Sequence, residues 1–434
     1  MLAVAALAWS LLAFGAVYPW AAPPLLALSL LALLAAGATP SLRDPIDAAA
    51  LAALAVIAFQ LMPLPAAAHD LLSPQGGAYR AAMALDFDAR AWAPLSLDPR
   101  RTRVMLMIAA SAFALYTAAR HLAPHEGRRL ARWIAWLALA ASLIGFGART
   151  LFPDGRIYGF WTPLERGAAP FGAVINRNHF AAWAIMAVVI ALGGLAAHAA
   201  RRREHTPARR ALVAMLSDTR ALWLLFAAAV TVAAIVTTAS RSGFAALVAA
   251  AAAAILLMRR RAGARAMTVV AVAGAVCLIA AMSWARPDRL LSRLEMSGSE
   301  LGLRQTIWKE SAAISARYPL AGVGAGAFPS AMAFYQTGSR EVFFNHAHNQ
   351  YLETAVEGGL LLGVPIAVML IALIRRIGRR MRAEHGSALW LRIGAAAALA
   401  GLAVACIWES PFRTPATLML AAVAAGLASA DPRD

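Results

Sequence analysis

Apolar residues in this chain fall in blocks of about 17–22, the length a helix needs to cross about 30 Å of hydrocarbon. The blocks occupy 2–18, 22–38, 47–63, 104–121, 130–150, 178–198, 221–239, 243–258, 267–284, 358–374, 390–408 and 416–430. The pattern predicts an all-α fold: one polytopic integral membrane helix bundle over 1–434, with about 12 transmembrane helices. A helical loop precedes the tenth span. Alanine dominates several blocks, and small side chains let helices approach closely in lipid. No basic residue precedes the first block, so it reads as an uncleaved helix rather than a signal peptide.

Composition sharpens this picture. The chain is 61% hydrophobic and 14% charged, whereas soluble domains carry roughly 45–50% and about 25%. The formal charge of +18 comes mainly from arginines at block ends. They cluster at Arg120, Arg128, Arg129 and Arg132; at Arg201 to Arg203, Arg209 and Arg210; at Arg259 to Arg261 and Arg265; and at Arg375, Arg376, Arg379, Arg380 and Arg382. Clusters at every second junction are a topology signal, not a nucleic-acid surface, and they can also meet anionic membrane lipid. The positive-inside rule puts them and both termini on the cytoplasmic side. The other side then receives 64–103, 151–177 and 285–357, with short turns near Ser240–Arg241 and Glu409–Arg413. Cys277 and Cys406 lie inside apolar blocks and suggest neither a disulfide nor a thiolate metal site.

The longest outward segment, 285–357, is too short for a large independent domain. Within it, Leu303, Ile307, Ile314 and Tyr318 share a helical face, so Ser299 to Tyr318 reads as an amphipathic helix, capped by Ser297 or Ser299 and ended by Pro319. Arg304 and Trp308 are one turn apart. The run Gly322 to Pro329 reads as a flexible glycine-rich turn whose amides are free to approach an anion. It lacks the Gly-Lys-Ser/Thr of a Walker loop. Segment 64–103 reads as a surface loop with short interfacial helices. Segment 151–177 carries Arg156, Tyr158, Trp161 and Arg166, then Asn176, Arg177, Asn178 and His179. Two readings stand equal there: the lining of a glycan site, or ordinary belt aromatics.

Titratable groups beside a bilayer usually mark function. Asn345 to Gly359, NHAHNQYLETAVEGG, concentrates them. His348 offers an imidazole, the side chain best suited to take up and release a proton. Arg241, in the tight turn TTASRSGF, and Arg304 offer planar forks that match phosphate oxygens. Glu353 and Glu357, one turn apart, are placed to orient the histidine or to bind sugar hydroxyls, while Asn345 and Asn349 donate and accept hydrogen bonds. His346 reads as a packing residue. HxH followed by Glu353 is too sparse a ligand set for zinc, so no metal and no cofactor is expected. Together these groups suit a site that holds a pyrophosphate and moves a proton at a hydroxyl.

The run from Arg304 to Gly363 also resembles the hallmark region of the O-antigen ligase and O-antigen polymerase superfamily. The parts stand in order: Arg304 and Trp308, Tyr318-Pro-Leu-x-Gly-Val-Gly, His348-Asn-x-Tyr-Leu, Glu353, Gly358-Gly359 and an apolar span. The SRSG turn at Ser240 to Gly243 resembles the family's turn upstream. The resemblance implies inverting, metal-independent glycosyl transfer at the periplasmic face, from a glycan on undecaprenyl pyrophosphate to a glycan or lipid A-core hydroxyl. By motif, Arg241 and Arg304 would bind the pyrophosphate and His348 would be the base. Asn345, Asn349, Tyr351, Glu353, Glu357, Trp308, Arg177 and His179 would line the substrate site. A ligase pattern of His-Asn, nine residues and Gly-x-x-Gly/Thr/Tyr fits at Gly359 but departs at Leu362, which favours a polymerase relative to a ligase. A lipid or polysaccharide transporter is the second alternative. It would favour charges in mid-span and broken helices, whereas here the polar groups gather on one face.

Overall fold

A computed structural model describes residues 1–83, 86–164, 168–203, 217–259, 297–338 and 343–431. Among them the chain is helical, with isolated bridges such as Leu64 with Ala93 and no strand. The helices are α1 Leu2–Leu12, α2 Ala22–Ala35, α3 Pro45–Phe59, α4 Ala66–Leu72, α5 Gly76–Met83, α6 Pro99–Leu151 and α7 Arg177–Arg203. After these come α8 Thr219–Thr238, α9 Arg241–Met258, α10 Ser297–Arg317, α11 Phe328–Tyr335, α12 Gln350–Ala383, α13 Ser387–Trp408 and α14 Pro415–Ser429. Their starts follow local chemistry. Asp44, Asp98, Asp218, Ser240 and Asn349 each cap a helix by accepting a backbone N–H, and prolines 45, 99 and 415 sit where no N–H is needed.

Six helices among the described residues are long and apolar enough to cross a membrane: Pro99–Leu151, Arg177–Arg201, Thr219–Thr238, Arg241–Met258, Gln350–Ala383 and Ser387–Trp408. Four more are apolar but shorter; α1, with 11 residues, covers about 16 Å at about 1.5 Å per residue. Among the described residues, six helices long enough to span are fewer than the expected 12 or so, and two of the expected spans are joined. Spans 104–121 and 130–150 fall in a single helical run, α6, of 53 residues. Straight, it would reach about 80 Å, yet both its ends lie at one end of the bundle. Thr102 donates to Ala325 O, and Gly145 abuts Phe171, whose ring is 4.5 Å from Phe180 near the start of α7. The run therefore bends back, and Pro124 is the residue within it that interrupts the hydrogen-bond ladder. The expected span 267–284 lies outside the described residues.

Small residues set the packing. A Cβ on Gly193 of α7 would lie 2.9 Å from Gly394 Cα of α13, and one on Gly426 of α14 would lie 2.8 Å from Tyr116 O of α6. The backbones touch at these crossings, which only glycine permits. Arg120 also differs from its reading as a topology residue. It is buried, and it donates to Asp44 Oδ2 at 2.9 Å and Asp47 Oδ2 at 2.9 Å, while Arg376 reaches Asp44 Oδ1 at 2.6 Å. Asp44 and Asp47 supply the counter-charge that lets Arg120 leave water.

Candidate active site

The site is built around the short turn joining α13 to α14. α13 ends at Trp408, and Glu409, as C-cap, points its carboxylate inward at 2% exposure. One oxygen, Oε1, accepts Arg304 Nη2 at 3.1 Å and Asn178 Nδ2 at 3.0 Å. The other, Oε2, lies 3.4 Å from His348 Nδ1. A guanidinium and an imidazole from two different segments thus meet on one buried carboxylate. Burial by itself would push Glu409 up. The hydrogen bond and charge of His348, with His179 and Arg304, outweigh it and hold the carboxyl below its usual range. An ionised carboxylate only accepts, so His348 donates from Nδ1, and Nε2 is the nitrogen left to face a substrate. The side chains of Arg304 and His348 remain 25% and 33% exposed, enough for a substrate to reach them.

His348 is positioned by backbone conformation. It sits at φ +48°, in the left-handed region, directly before Asn349, which caps α12 by accepting Leu352 N at 2.9 Å. Trp308, one turn after Arg304 on α10, donates Nε1 to Ala347 O at 3.0 Å and ties the helix to the segment that carries His348. The backbone N of Gln350 donates to Glu409 O at 3.1 Å, and its Oε1 accepts Phe412 N at 3.1 Å. These contacts lock the start of α12 to the α13–α14 turn.

A second buried charge cluster lies behind the first. Arg413 reaches Glu353 through Nε and Glu357 through Nη2 at 2.5 Å. Glu353 Oε2 also accepts Ala347 N at 2.9 Å and Ser410 Oγ at 2.6 Å. The expectation that Glu353 or Glu357 orients His348 is therefore corrected. Both carboxylates are committed to Arg413, and the carboxylate at the imidazole is Glu409. The glycine-rich turn also departs from expectation. Gly322, Gly324 and Gly326 all have positive φ, and a Cβ on Gly322 would lie 2.4 Å from Glu357 C. The turn is buried rather than open, and its amides are consumed: Val323 N by Val356 O at 2.9 Å, Gly324 N by Glu357 O at 3.0 Å, and Ala325 N by Gln60 Oε1 at 3.0 Å. None of these three is left for an anion. At Gly359, φ +54°, the helix breaks; Leu360 N and Leu361 N then donate to Pro319 O at 2.9 Å and Leu320 O at 3.0 Å.

The remaining candidates spread around this centre. His179 is buried, with Nδ1 2.8 Å from Thr414 Oγ1. Its ring lies 6.4 Å from that of His346, which lies 6.2 Å from His348. Burial, then the charge of Arg413, holds His346 well below the usual imidazole range, which suits a packing residue. Arg241 is exposed at the start of α9, and Gly243 of the same turn packs on Ala181 beside His179, so Arg241 stands at the site's end of the bundle. Arg177 and Asn345 are half-buried. Tyr351 turns away, donating to Ala403 O at 2.8 Å. Tyr158 and Trp161 pack instead on the first helical segment, donating to Leu12 O and Tyr18 OH. Arg166 lies outside the described residues. Among the described residues no three His, Cys, Asp or Glu side chains converge as metal ligands.

Glu409 and Arg413 are what the sequence reading passed over. Their signal was present: a carboxylate and a guanidinium in the short turn ESPFR between two apolar blocks, on the same side as SRSG.

No curated protein matches the chain. Residues 224–367 match the family model described as O-antigen ligase. That segment contains Arg241, Arg304, Trp308, His348, Glu353 and Glu357, and it stops short of Glu409. Over residues 224–367 this multi-pass membrane protein is therefore similar to the O-antigen ligase family.

Proposed function

We propose that the chain transfers a glycan from undecaprenyl pyrophosphate to an acceptor sugar hydroxyl at the periplasmic face, with inversion and without a metal. One observation carries this reading: Arg304 and His348 share the two oxygens of Glu409. A cation for the leaving group and a base for the acceptor then stand side by side. The acceptor oxygen attacks the anomeric carbon, and the bond from that carbon to the diphosphate oxygen breaks. The diphosphate departs with the electron pair, which Arg304 and Arg241 stabilise as guanidinium forks. The acceptor proton passes to His348 Nε2, and the imidazolium formed is paired by Glu409. A base so placed accelerates transfer by about 10²–10⁴. The lipid A-core or another glycan is the acceptor in the ligase form of this reaction.

A polymerase is the second reading, favoured by Leu362 at a position where a ligase pattern places Gly, Thr or Tyr. Deleting the gene separates the two. Surface chains of a single repeat indicate a lost polymerase; long lipid-linked chains beside bare core indicate a lost ligase. The shared chemistry is tested with purified protein in detergent and a lipid-linked glycan. His348→Ala and Arg304→Ala are each expected to lower turnover by about 10²–10⁴ while the protein stays monodisperse. Near-normal turnover in both variants would overturn the assignment.

A further inference from the structure

At the far end of the bundle from the site, α6 and α8 form a cationic pocket. Ala131 of α6 packs on Gly194 of α7, which along that helix is about 22 Å from His179. Beside it a cavity of about 120 Å³ is lined by Arg132, Trp136, Thr219, Arg220, Trp223 and neighbouring apolar residues. Arg128, one turn before Arg132, lies within electrostatic reach of both Arg132 and Arg201. Among the described residues, no acidic side chain pairs with Arg132 or Arg220. The nearest carboxylate in sequence, Asp218, is committed elsewhere: Oδ2 to His198 Nε2 at 2.7 Å and Oδ1 to Arg220 N at 2.8 Å. Clustered like charges at a helix end call for an anion.

The walls say which anion. Trp136 and Trp223 lie 5.5 Å apart, 44% and 47% exposed, beside the exposed Leu222 and Phe226. Indoles with one polar edge sit at the headgroup level of a bilayer. Exposed indoles beside apolar side chains suit a lipid better than a soluble anion.

We infer that this pocket binds the phosphate of an anionic phospholipid, with Arg132 and Arg220 on the headgroup and the two tryptophans against the upper acyl chain. It is independent of the glycan-transfer reading. Native mass spectrometry of the full-length protein in detergent, titrated with phosphatidylglycerol or phosphatidylcholine, tests it. Wild type is expected to favour phosphatidylglycerol, and excess inorganic phosphate is expected to leave the lipid bound. The Arg132→Gln/Arg220→Gln double variant is expected to bind it about 30-fold more weakly. That is about 2 kcal/mol at about 1.4 kcal/mol per tenfold, each cation near anionic lipid contributing about 1 kcal/mol. If the double variant does not stay folded, Arg220→Gln alone, at an exposed position, is expected to weaken binding about 5-fold. Unchanged affinity in a folded variant, equal binding of both lipids, or displacement by inorganic phosphate would each overturn the proposal.

Discussion

Glu409 turns two separately ordinary residues into a pair. Without it, Arg304 is a half-exposed helical arginine and His348 a loop histidine. With it, the imidazole is fixed in one tautomer and the guanidinium is held alongside. Glu409→Gln is expected to lower turnover by about 10²–10⁴, because an amide neither pairs the imidazolium nor accepts from both cations. The same substitution has a pH signature. Glu409 is held below its ordinary value of 4.5, so its contribution to stability is complete above about pH 4.5 and is lost as pH falls through the lower folded value. Thermal unfolding in detergent is expected to separate wild type from Glu409→Gln at neutral pH and to converge in acid. At this scale the sequence was legible for His348, Arg304 and Trp308, whose chemistry and spacing stand out. Glu409 was visible only as a carboxylate in the ESPFR turn; its pairing was not legible, because its partners are 61 and 105 residues away and no local pattern reports such a contact.

At the scale of elements, the site depends on a helix that is broken on purpose. α12 begins at the Asn349 cap, breaks at Gly359, and hands two amides to carbonyls of the turn after α10. Arg413 holds that broken segment down by bridging Glu353 and Glu357, one turn apart. Arg413→Ala leaves two carboxylates buried without a cation and is expected to cost about 3–5 kcal/mol, read as a large fall in thermal stability. Glu353→Gln combined with Glu357→Gln is expected to restore part of it. The glycine pattern announced a turn at Gly322 to Pro329. Its closure could not be read, because the partners that consume its amides, Gln60 and the carbonyls of Val356 and Glu357, belong to other segments.

At the scale of the whole molecule, hydrophobic periodicity announced an all-helical chain, and six described helices are long and apolar enough to cross a membrane. It divided α6 into two because the arginines and Pro124 between its apolar halves look like a loop, whereas the helix continues through them. Buried pairs such as Arg120 with Asp47 were invisible for the same reason as Glu409. The proposed orientation has a direct check by impermeant maleimide on intact cells. Cysteine placed at Phe343, beside the site and exposed, is expected to label; cysteine placed at His385, exposed at the opposite end, is expected to label only after permeabilisation. The reverse pattern would move the chemistry to the cytoplasmic face.

The most direct measurement is an experimental structure of the protein with undecaprenyl pyrophosphate bound. The diphosphate is expected within hydrogen-bond distance of Arg304 and beside the Arg241 turn, with His348 Nε2 facing the space left for an acceptor. A diphosphate bound elsewhere in the bundle, with Arg304 and His348 out of reach, would contradict the central claim that one buried carboxylate joins the leaving-group cation to the base.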